Sequence, residues 1–126
     1  MSLLNGLKIL IVEDEPIVAM MVEDMLIDLG AEAIGPASTL DGALDLAQTG
    51  GFDAAILDLN LNGERTGGVA DILRRRGLPF VFATGYDSGG GVALGGAIVL
   101  QKPYRAEQME TALGKAMAAA ALSTGS

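Results

Sequence analysis

Residues 52–63 read FDAAILDLNLNG, a stretch in which an apolar run ends at the carboxylate of Asp58. The first half of the stretch has the length of a β-strand and is apolar apart from a single acid. The second half ends in Asn62-Gly63, a dipeptide that is typical of a turn. A strand that is covered on both faces is almost continuously apolar. We therefore expect a buried strand of a parallel sheet, with Asp58 at its carboxyl end.

Three other largely apolar runs also end at polar side chains. They cover residues 8–12, 80–83 and 97–100. In open parallel sheets, ligands bind in the crevice outside the carboxyl ends of the strands. We therefore expect one acidic pocket around Asp58, with a hydroxyl and an ammonium group at its rim. The polar residues that follow the three runs are Glu13 with Asp14, Thr84, and Lys102 with Pro103.

Short apolar runs alternate with longer helical patterns along the chain. This alternation predicts an α/β protein, a doubly wound (βα)5 domain whose five-stranded parallel sheet is covered by helices on both faces. The fourth helix is the exception, because residues 87–96 contain five glycines. Each interior glycine costs a helix about 1 kcal/mol relative to alanine. We expect this helix to be weak or missing, and the segment to be the most mobile internal stretch.

The first helix has the clearest amphipathic pattern. Pro16 suits its first turn. Met20 and Ile27 fall on the face that points to solvent, and Met20, near the acidic end of the sheet, is a candidate for partner docking. The residues expected on the buried face are Val18, Met21, Val22, Met25 and Leu29.

Length and composition indicate the class of protein. The 126 residues, 50% of them hydrophobic, suffice for one domain over residues 1–126, with a core of about residues 6–121 and a disordered C-terminal tail. No apolar stretch approaches the roughly 20 residues of a membrane span. The N-terminus also lacks the pattern of a signal peptide, so we expect a cytoplasmic protein that does not bind membranes.

The residue types limit the chemistry. The chain has no Cys and no His, which excludes disulfides, thiol or imidazole catalysis and the usual zinc sites. A net charge of −8 argues against nucleic-acid binding, because a basic surface is needed to displace phosphate counterions. Any bound metal is expected to be a hard cation held by oxygen ligands.

Glu13, Asp14 and Asp58 would crowd together at neighbouring strand ends, where their repulsion is costly unless a cation lies between them. Mg²⁺ fits best, because it binds few carboxylates and keeps several waters that phosphoryl oxygens can replace. A carboxylate in this position can attack phosphorus while Lys102 and Thr84 offset charge on the phosphoryl oxygens. The product would be an aspartyl phosphate.

The strand-end residues resemble the active site of a known family, the receiver (CheY-like) domains of bacterial two-component response regulators. The resemblance covers nearly the whole chain and implies a flavodoxin-like fold. Residues 82–86, FATGY, are similar to the signature of a group of single-domain receivers found in alphaproteobacteria. The positions that carry the match, in the family's order and spacing, are Glu13, Asp14, Asp58, Thr84, Lys102 and Pro103.

The resemblance implies a role for each position. Asp58 would accept a phosphoryl group from a sensor histidine kinase or a phosphotransfer protein, and Thr84 and Lys102 would reach that group. A cis peptide bond is implied before Pro103. The protein would be a signalling protein and not an enzyme, apart from its own phosphorylation and dephosphorylation. The implied Mg²⁺ site consists of Asp14, Asp58 and the carbonyl of Asn60, with support from Glu13.

Three features depart from the family pattern. Asn62 stands where many receivers have proline, and we expect it to loosen the loop after Asp58. Val99 replaces the usual aromatic switch residue, which leaves Tyr86 as the candidate switch. The glycine-rich segment 87–96 replaces a firm fourth helix. We therefore expect the active site to follow the family more closely than the switch does.

Two other functions fit part of the pattern. A haloacid-dehalogenase-like phosphatase also forms an aspartyl phosphate with Mg²⁺, but it carries an Asp-x-Asp pair on its first strand, whereas this chain has Asp58-Leu59-Asn60 on its third. A receiver-like module could also bind partners without phosphorylation. The preferred interpretation is a stand-alone receiver that signals by contact with an unknown downstream protein.

Overall fold

The apolar runs of the sequence form the strands of one central sheet. The computed structural model describes residues 2–85, 91–92 and 97–124. The strands are β1 (Lys8–Val12), β2 (Glu32–Ala37), β3 (Ala54–Asp58), β4 (Asn60–Leu61), β5 (Glu64–Arg65), β6 (Phe80–Thr84), β7 (Gly91–Val92) and β8 (Ile98–Gln101). The helices are α1 (Pro16–Asp28), α2 (Leu40–Thr49), α3 (Gly67–Arg76) and α4 (Ala106–Thr124).

The sheet has the strand order β2-β1-β3-β6-β8-β7. All neighbours in it are parallel except β7, which pairs antiparallel with the outer side of β8. Strands β4 and β5 form a small antiparallel pair of their own in the loop after β3. The five parallel strands confirm the predicted doubly wound α/β fold, and their order is that of the flavodoxin-like group.

Helices cover both faces of the sheet, and β1 shows how the core is divided. Ile9 and Ile11 pack into the core on the side of α1 and α4. Leu10 and Val12 pack into the core on the side of α2 and α3. Because successive side chains of a strand point to opposite faces, a central strand that is covered on both sides must be apolar at every position. This is why the strand-forming runs of the sequence are nearly continuous.

The predicted buried face of α1 is partly wrong. Met21 was expected to be buried, but half of its surface is exposed. The buried line of the helix runs through Ala19, Val22 and Leu26. Met21 lies about 100° from Val22 around the helix axis, which turns it away from the sheet. Met20 is exposed, as predicted.

The expected weakness of the fourth helix is confirmed in the part of this region that is described. Between β6 and β8, the described residues are Gly85, Gly91, Val92 and Ala97, and none of them is helical. Gly91 and Val92 form the edge strand β7. Tyr86, the candidate switch, lies outside the described residues, as does most of the segment for which mobility was predicted.

The last helix, α4, is the longest of the described helices, with 19 residues. Met109 and Leu113 anchor its first half in the core, whereas Leu122 near its end is exposed. Within the described ranges, α4 and the other helices are all too short or too polar to cross a membrane.

Candidate functional site

The acidic strand ends meet at one edge of the sheet. Strands β1, β3, β6 and β8 are consecutive neighbours, and all four run in the same direction. In the register of the sheet, Asp58 at the end of β3 pairs with Ala83 of β6, and Thr84 at the end of β6 pairs with Gln101 of β8. Lys102 directly follows β8. The topology thus places the predicted site residues side by side.

Three carboxylates form a tight cluster at this edge. Glu13, Asp14 and Asp58 each offer one carboxylate oxygen, and the three oxygens all lie within 4.8 Å of one another. Glu13 is buried, and Asp14 and Asp58 are half-buried. At such distances three negative charges repel one another strongly unless positive charge is supplied.

Lys102 supplies part of that positive charge. Its Nζ donates to Oε1 of Glu13 at 2.7 Å and to Oδ2 of Asp58 at 3.2 Å. Its main-chain N–H donates to the carbonyl of Thr84 at 2.7 Å, which joins the ends of β8 and β6. The peptide bond between Lys102 and Pro103 is cis, as the family resemblance implied. Thr84 itself is buried.

The electrostatics of the cluster reflect an excess of negative charge. Burial raises the pKa of the Glu13 carboxyl to about 7, and the nearby Asp58 adds to this rise, whereas Lys102 opposes it. Burial lowers the pKa of Lys102, but the hydrogen bond to Glu13 and the charge of Asp58 outweigh it, and the net shift is upward. Lys102 therefore keeps its positive charge, and the Glu13 carboxyl takes up a proton at a higher pH than an ordinary glutamate does.

The residues present fit a divalent cation. Oε2 of Glu13 is buried and has no hydrogen-bond partner among the described residues. A buried carboxylate oxygen in this situation is costly unless a cation or a proton satisfies it. The cluster also has three carboxylates for the one ammonium group of Lys102. A hard cation with oxygen ligands, such as Mg²⁺, matches both features.

The main chain around Asp58 is held by two neighbours. The N–H of Asn60 donates to Oδ1 of Asp58 at 3.3 Å. The hydroxyl of Thr66, which is fully buried, donates to the carbonyl of Asp58 at 2.6 Å, and the carbonyl of Leu59 lies 3.2 Å from the same hydroxyl. The sequence had given no reason to single out Thr66. Its position just before α3 is typical of a helix cap, yet its hydroxyl makes no capping hydrogen bond.

Tyr104 is a second neighbour of the site that the sequence did not place there. Its buried ring lines the same small cavity as Glu13, Asp58 and Lys102. Burial raises the pKa of the Tyr104 phenol, and the Glu13 and Asp58 carboxylates raise it further. The phenol therefore stays neutral beside the acidic cluster.

Comparison with known proteins gives the same picture. The family model for the response regulator receiver domain matches residues 9–114. SdrG from Sphingomonas melonis Fr1, known from a solution structure, is 45% identical, and the similarity covers 95% of this chain and 98% of that chain with a TM-score of 0.72. SdrG from Pseudomonas melonis Fr1, in its BeF3-activated conformation, is 44% identical over 89% of this chain and 98% of that chain, with a TM-score of 0.71.

A longer regulator is also similar. The phyllosphere-induced regulator PhyR of Methylorubrum extorquens is 30% identical over 115 residues, or 87% of this chain, but this chain spans only 43% of PhyR. The region matched by the family model runs from β1 into α4 and includes the acidic cluster, Thr84 and Lys102. Because the fold, the strand-end residues and the family match all agree, the chain belongs to the response regulator receiver domain family.

Proposed function

We propose that this receiver accepts a phosphoryl group on Asp58, from a sensor histidine kinase or a phosphotransfer protein. The observation that carries the proposal is the position of Asp58 within 4.8 Å of two other carboxylates and in contact with the Lys102 ammonium. Such an arrangement combines a nucleophilic carboxylate with a nearby ammonium group that can offset the negative charge of the incoming phosphoryl group.

Asp14, Asp58 and the carbonyl of Asn60, with Glu13 in support, would hold the Mg²⁺ ion. When bound, this ion offsets negative charge on the carboxylates and on the phosphoryl oxygens. Oε2 of Glu13, which has no hydrogen-bond partner among the described residues, supports the proposal. The charge balance also supports it, because the Lys102 ammonium bonds to only two of the three clustered carboxylates.

The protein's own residues account for the transfer step. A carboxylate oxygen of Asp58 attacks phosphorus, a new O–P bond forms, and the P–N bond to the donor histidine breaks. Thr66 and Asn60 hold the main chain and Oδ1 of Asp58, so the carboxylate has little freedom to turn away. Lys102 already touches Asp58 and needs only a side-chain movement to reach the transferred group. The Thr84 hydroxyl would donate to a phosphoryl oxygen.

The phosphatase alternative is not favoured, because the receiver family model matches most of the chain and the Asp58-Leu59-Asn60 sequence begins at the end of β3, the third strand, and not on the first. A module that binds partners without phosphorylation is the alternative that an experiment must separate. The similarity covers 98% of the SdrG chain, which supports a stand-alone receiver, and the BeF3-activated conformation of SdrG supports activation of this chain by phosphorylation. A downstream protein partner, location in the cytoplasm and membership in the FATGY group stay predictions.

The test uses acetyl phosphate and Mg²⁺ with the intact chain. We expect a transient mass increase of about 80 Da, and reductive trapping with borohydride should locate it on Asp58. Asp58→Asn should abolish the adduct, whereas Asp41→Asn, which changes an exposed acid in the first turn of α2, should leave it unchanged. An adduct on another residue, or no adduct at all, would contradict the proposal.

A further inference from the structure

Asn62 makes a contact to the acidic cluster that the family pattern does not anticipate. It lies between β4 and β5 with a left-handed backbone conformation, at φ 51. Its main-chain N–H donates to Oδ2 of Asp14 at 2.9 Å, across 48 residues of sequence. Its side-chain Nδ2 donates to the carbonyl of Ser38 at 3.2 Å. One residue thus joins the loops that follow β1, β2 and β3.

Asparagine is suited to this position and proline is not. Asparagine enters the left-handed region more readily than most residues. Proline fixes φ near −65° and has no N–H, so it could neither adopt the conformation of Asn62 nor donate to Asp14. The hydrogen bonds of Asn62 tie its loop to the loops after β1 and β2, which argues against the expectation that Asn62 loosens it.

The hydrogen bond to Asp14 restricts what that carboxylate can offer. Oδ2 accepts the N–H of Asn62, and a charge-assisted bond of this kind holds the carboxylate in one orientation. Oδ1 of Asp14 is then the only oxygen of this carboxylate whose lone pairs are not shared with Asn62 and can all serve a cation. We propose that Asn62 is a positioning residue of the cation site, whose main-chain N–H presents Asp14 as a ligand with a single oxygen.

This arrangement bears on which cation the site prefers. Mg²⁺ takes few protein oxygens and demands near-octahedral geometry, whereas Ca²⁺ accepts more ligands and often binds both oxygens of a carboxylate. An Asp14 that offers one oxygen favours Mg²⁺. The inference rests on the proposed function only in taking Asp14 as a cation ligand, and it needs no phosphorylation.

The test measures cation affinity by calorimetry for Mg²⁺ and Ca²⁺ separately. Asn62→Pro removes the N–H and should weaken Mg²⁺ binding about 10-fold or more, with a smaller loss for Ca²⁺. Asn62→Gly keeps the N–H and the left-handed backbone and should retain most of the affinity. Asn62→Ala also keeps the N–H and, like the glycine variant, loses the Nδ2 hydrogen bond to Ser38, so the difference between these two variants measures the effect of disfavouring positive φ.

A backbone variant decides the matter if the proline variant does not fold. Replacing the peptide nitrogen of Asn62 by an ester oxygen removes the donor while keeping the asparagine side chain, and it should reproduce the loss of Mg²⁺ affinity. Three results would overturn the inference. The ester variant could bind Mg²⁺ as tightly as the parent, or the glycine variant could bind it as weakly as the proline variant. The proline variant could also keep the parent's preference for Mg²⁺ over Ca²⁺. Failure of the proposed function looks different, because the parent would then bind Mg²⁺ but take no phosphoryl group from acetyl phosphate.

Discussion

The ammonium nitrogen of Lys102 lies 2.7 Å from Oε1 of Glu13, so these two residues are paired before any phosphoryl group arrives. The same ammonium lies 3.2 Å from Oδ2 of Asp58. One cation therefore serves two carboxylates, and Asp14 adds a third negative charge within 4.8 Å. The cluster favours uptake of a proton or of a divalent cation for this reason.

The stability of the cation-free protein should depend on pH through Glu13. Its pKa is about 7 in the folded protein, against 4.5 for an ordinary glutamate. The folded state therefore holds this proton more tightly, and the free energy of unfolding should fall as pH rises from about 4.5 to about 7. Urea unfolding of the parent and of Glu13→Gln, without divalent cations, measures the effect as a difference. The quantity to follow is the free energy of unfolding of the parent minus that of Glu13→Gln, which should fall as pH rises. If this difference stays constant or increases across the range, the raised pKa is contradicted.

Binding of Mg²⁺ should depend strongly on Asp14 and little on Glu15. Asp14 belongs to the acidic cluster, whereas Glu15 is exposed at the start of α1 and makes no side-chain cap. We expect Asp14→Ala to weaken Mg²⁺ binding by about 10-fold or more, and Glu15→Ala to change it by no more than about 2-fold. Calorimetric titration of both variants checks this. Equal losses would indicate diffuse attraction by acidic surface charge and no ordered site.

The buried hydroxyl of Thr66 should support both stability and reactivity. It donates to the carbonyl of Asp58 at 2.6 Å, and Thr66→Val would leave that part-buried carbonyl without this donor. We expect a loss of about 1–3 kcal/mol in the free energy of unfolding, and slower labelling by acetyl phosphate. Thr66→Ser keeps the hydroxyl and should recover most of the labelling rate. Equal rates for the valine and serine variants would rule out a positioning role.

Arg76 should stabilise the end of α2. Its guanidinium donates to the carbonyl of Ala47 at 2.7 Å and to that of Gly50 at 3.2 Å, and it lies 5.6 Å from the ring centre of Phe52. Arg76→Gln should lower the free energy of unfolding by about 1–2 kcal/mol. Arg75→Gln, at an exposed neighbour of the same charge, should change it by less than about 0.5 kcal/mol. Urea unfolding of the two variants gives the comparison.

Met20 should take part in docking of the phosphodonor protein. It lies in the first half of α1, and 64% of its surface is exposed. The cognate histidine kinase would first be identified by testing the kinases of one genome for phosphoryl transfer to this chain. Met20→Glu should slow transfer from that kinase. Labelling by acetyl phosphate should not change, because that donor needs no docking surface. Ile27→Glu, an exposed position at the other end of α1, is the matched control, and an equal effect there would count against a local docking site.

The fold could be predicted largely from local patterns. Short apolar runs that alternate with helical segments indicate parallel strands with helical crossovers, and turn residues after Asp58 mark where its strand ends. The same patterns place the acids at one edge, because parallel strands end on the same side of a sheet. The face of α1 was less predictable. Met21 and Val22 are both apolar, and only the packing of the helix on the sheet selects the one that is buried.

By itself, the sequence determined the strand ends and the chemistry available there: three carboxylates, a hydroxyl and one ammonium, with no thiol or imidazole. Only the tertiary structure decided how these groups are held. The donation from Asn62 to Asp14 spans 48 residues, and the contact of Lys102 with Glu13 spans 89. The apolar patterns of strands and helices and the residue preferences of turns extend over a few neighbouring residues, so they can be read from the sequence. A contact between distant loops depends on the left-handed backbone of Asn62 and on the order of the strands, and it exists only once the sheet has formed.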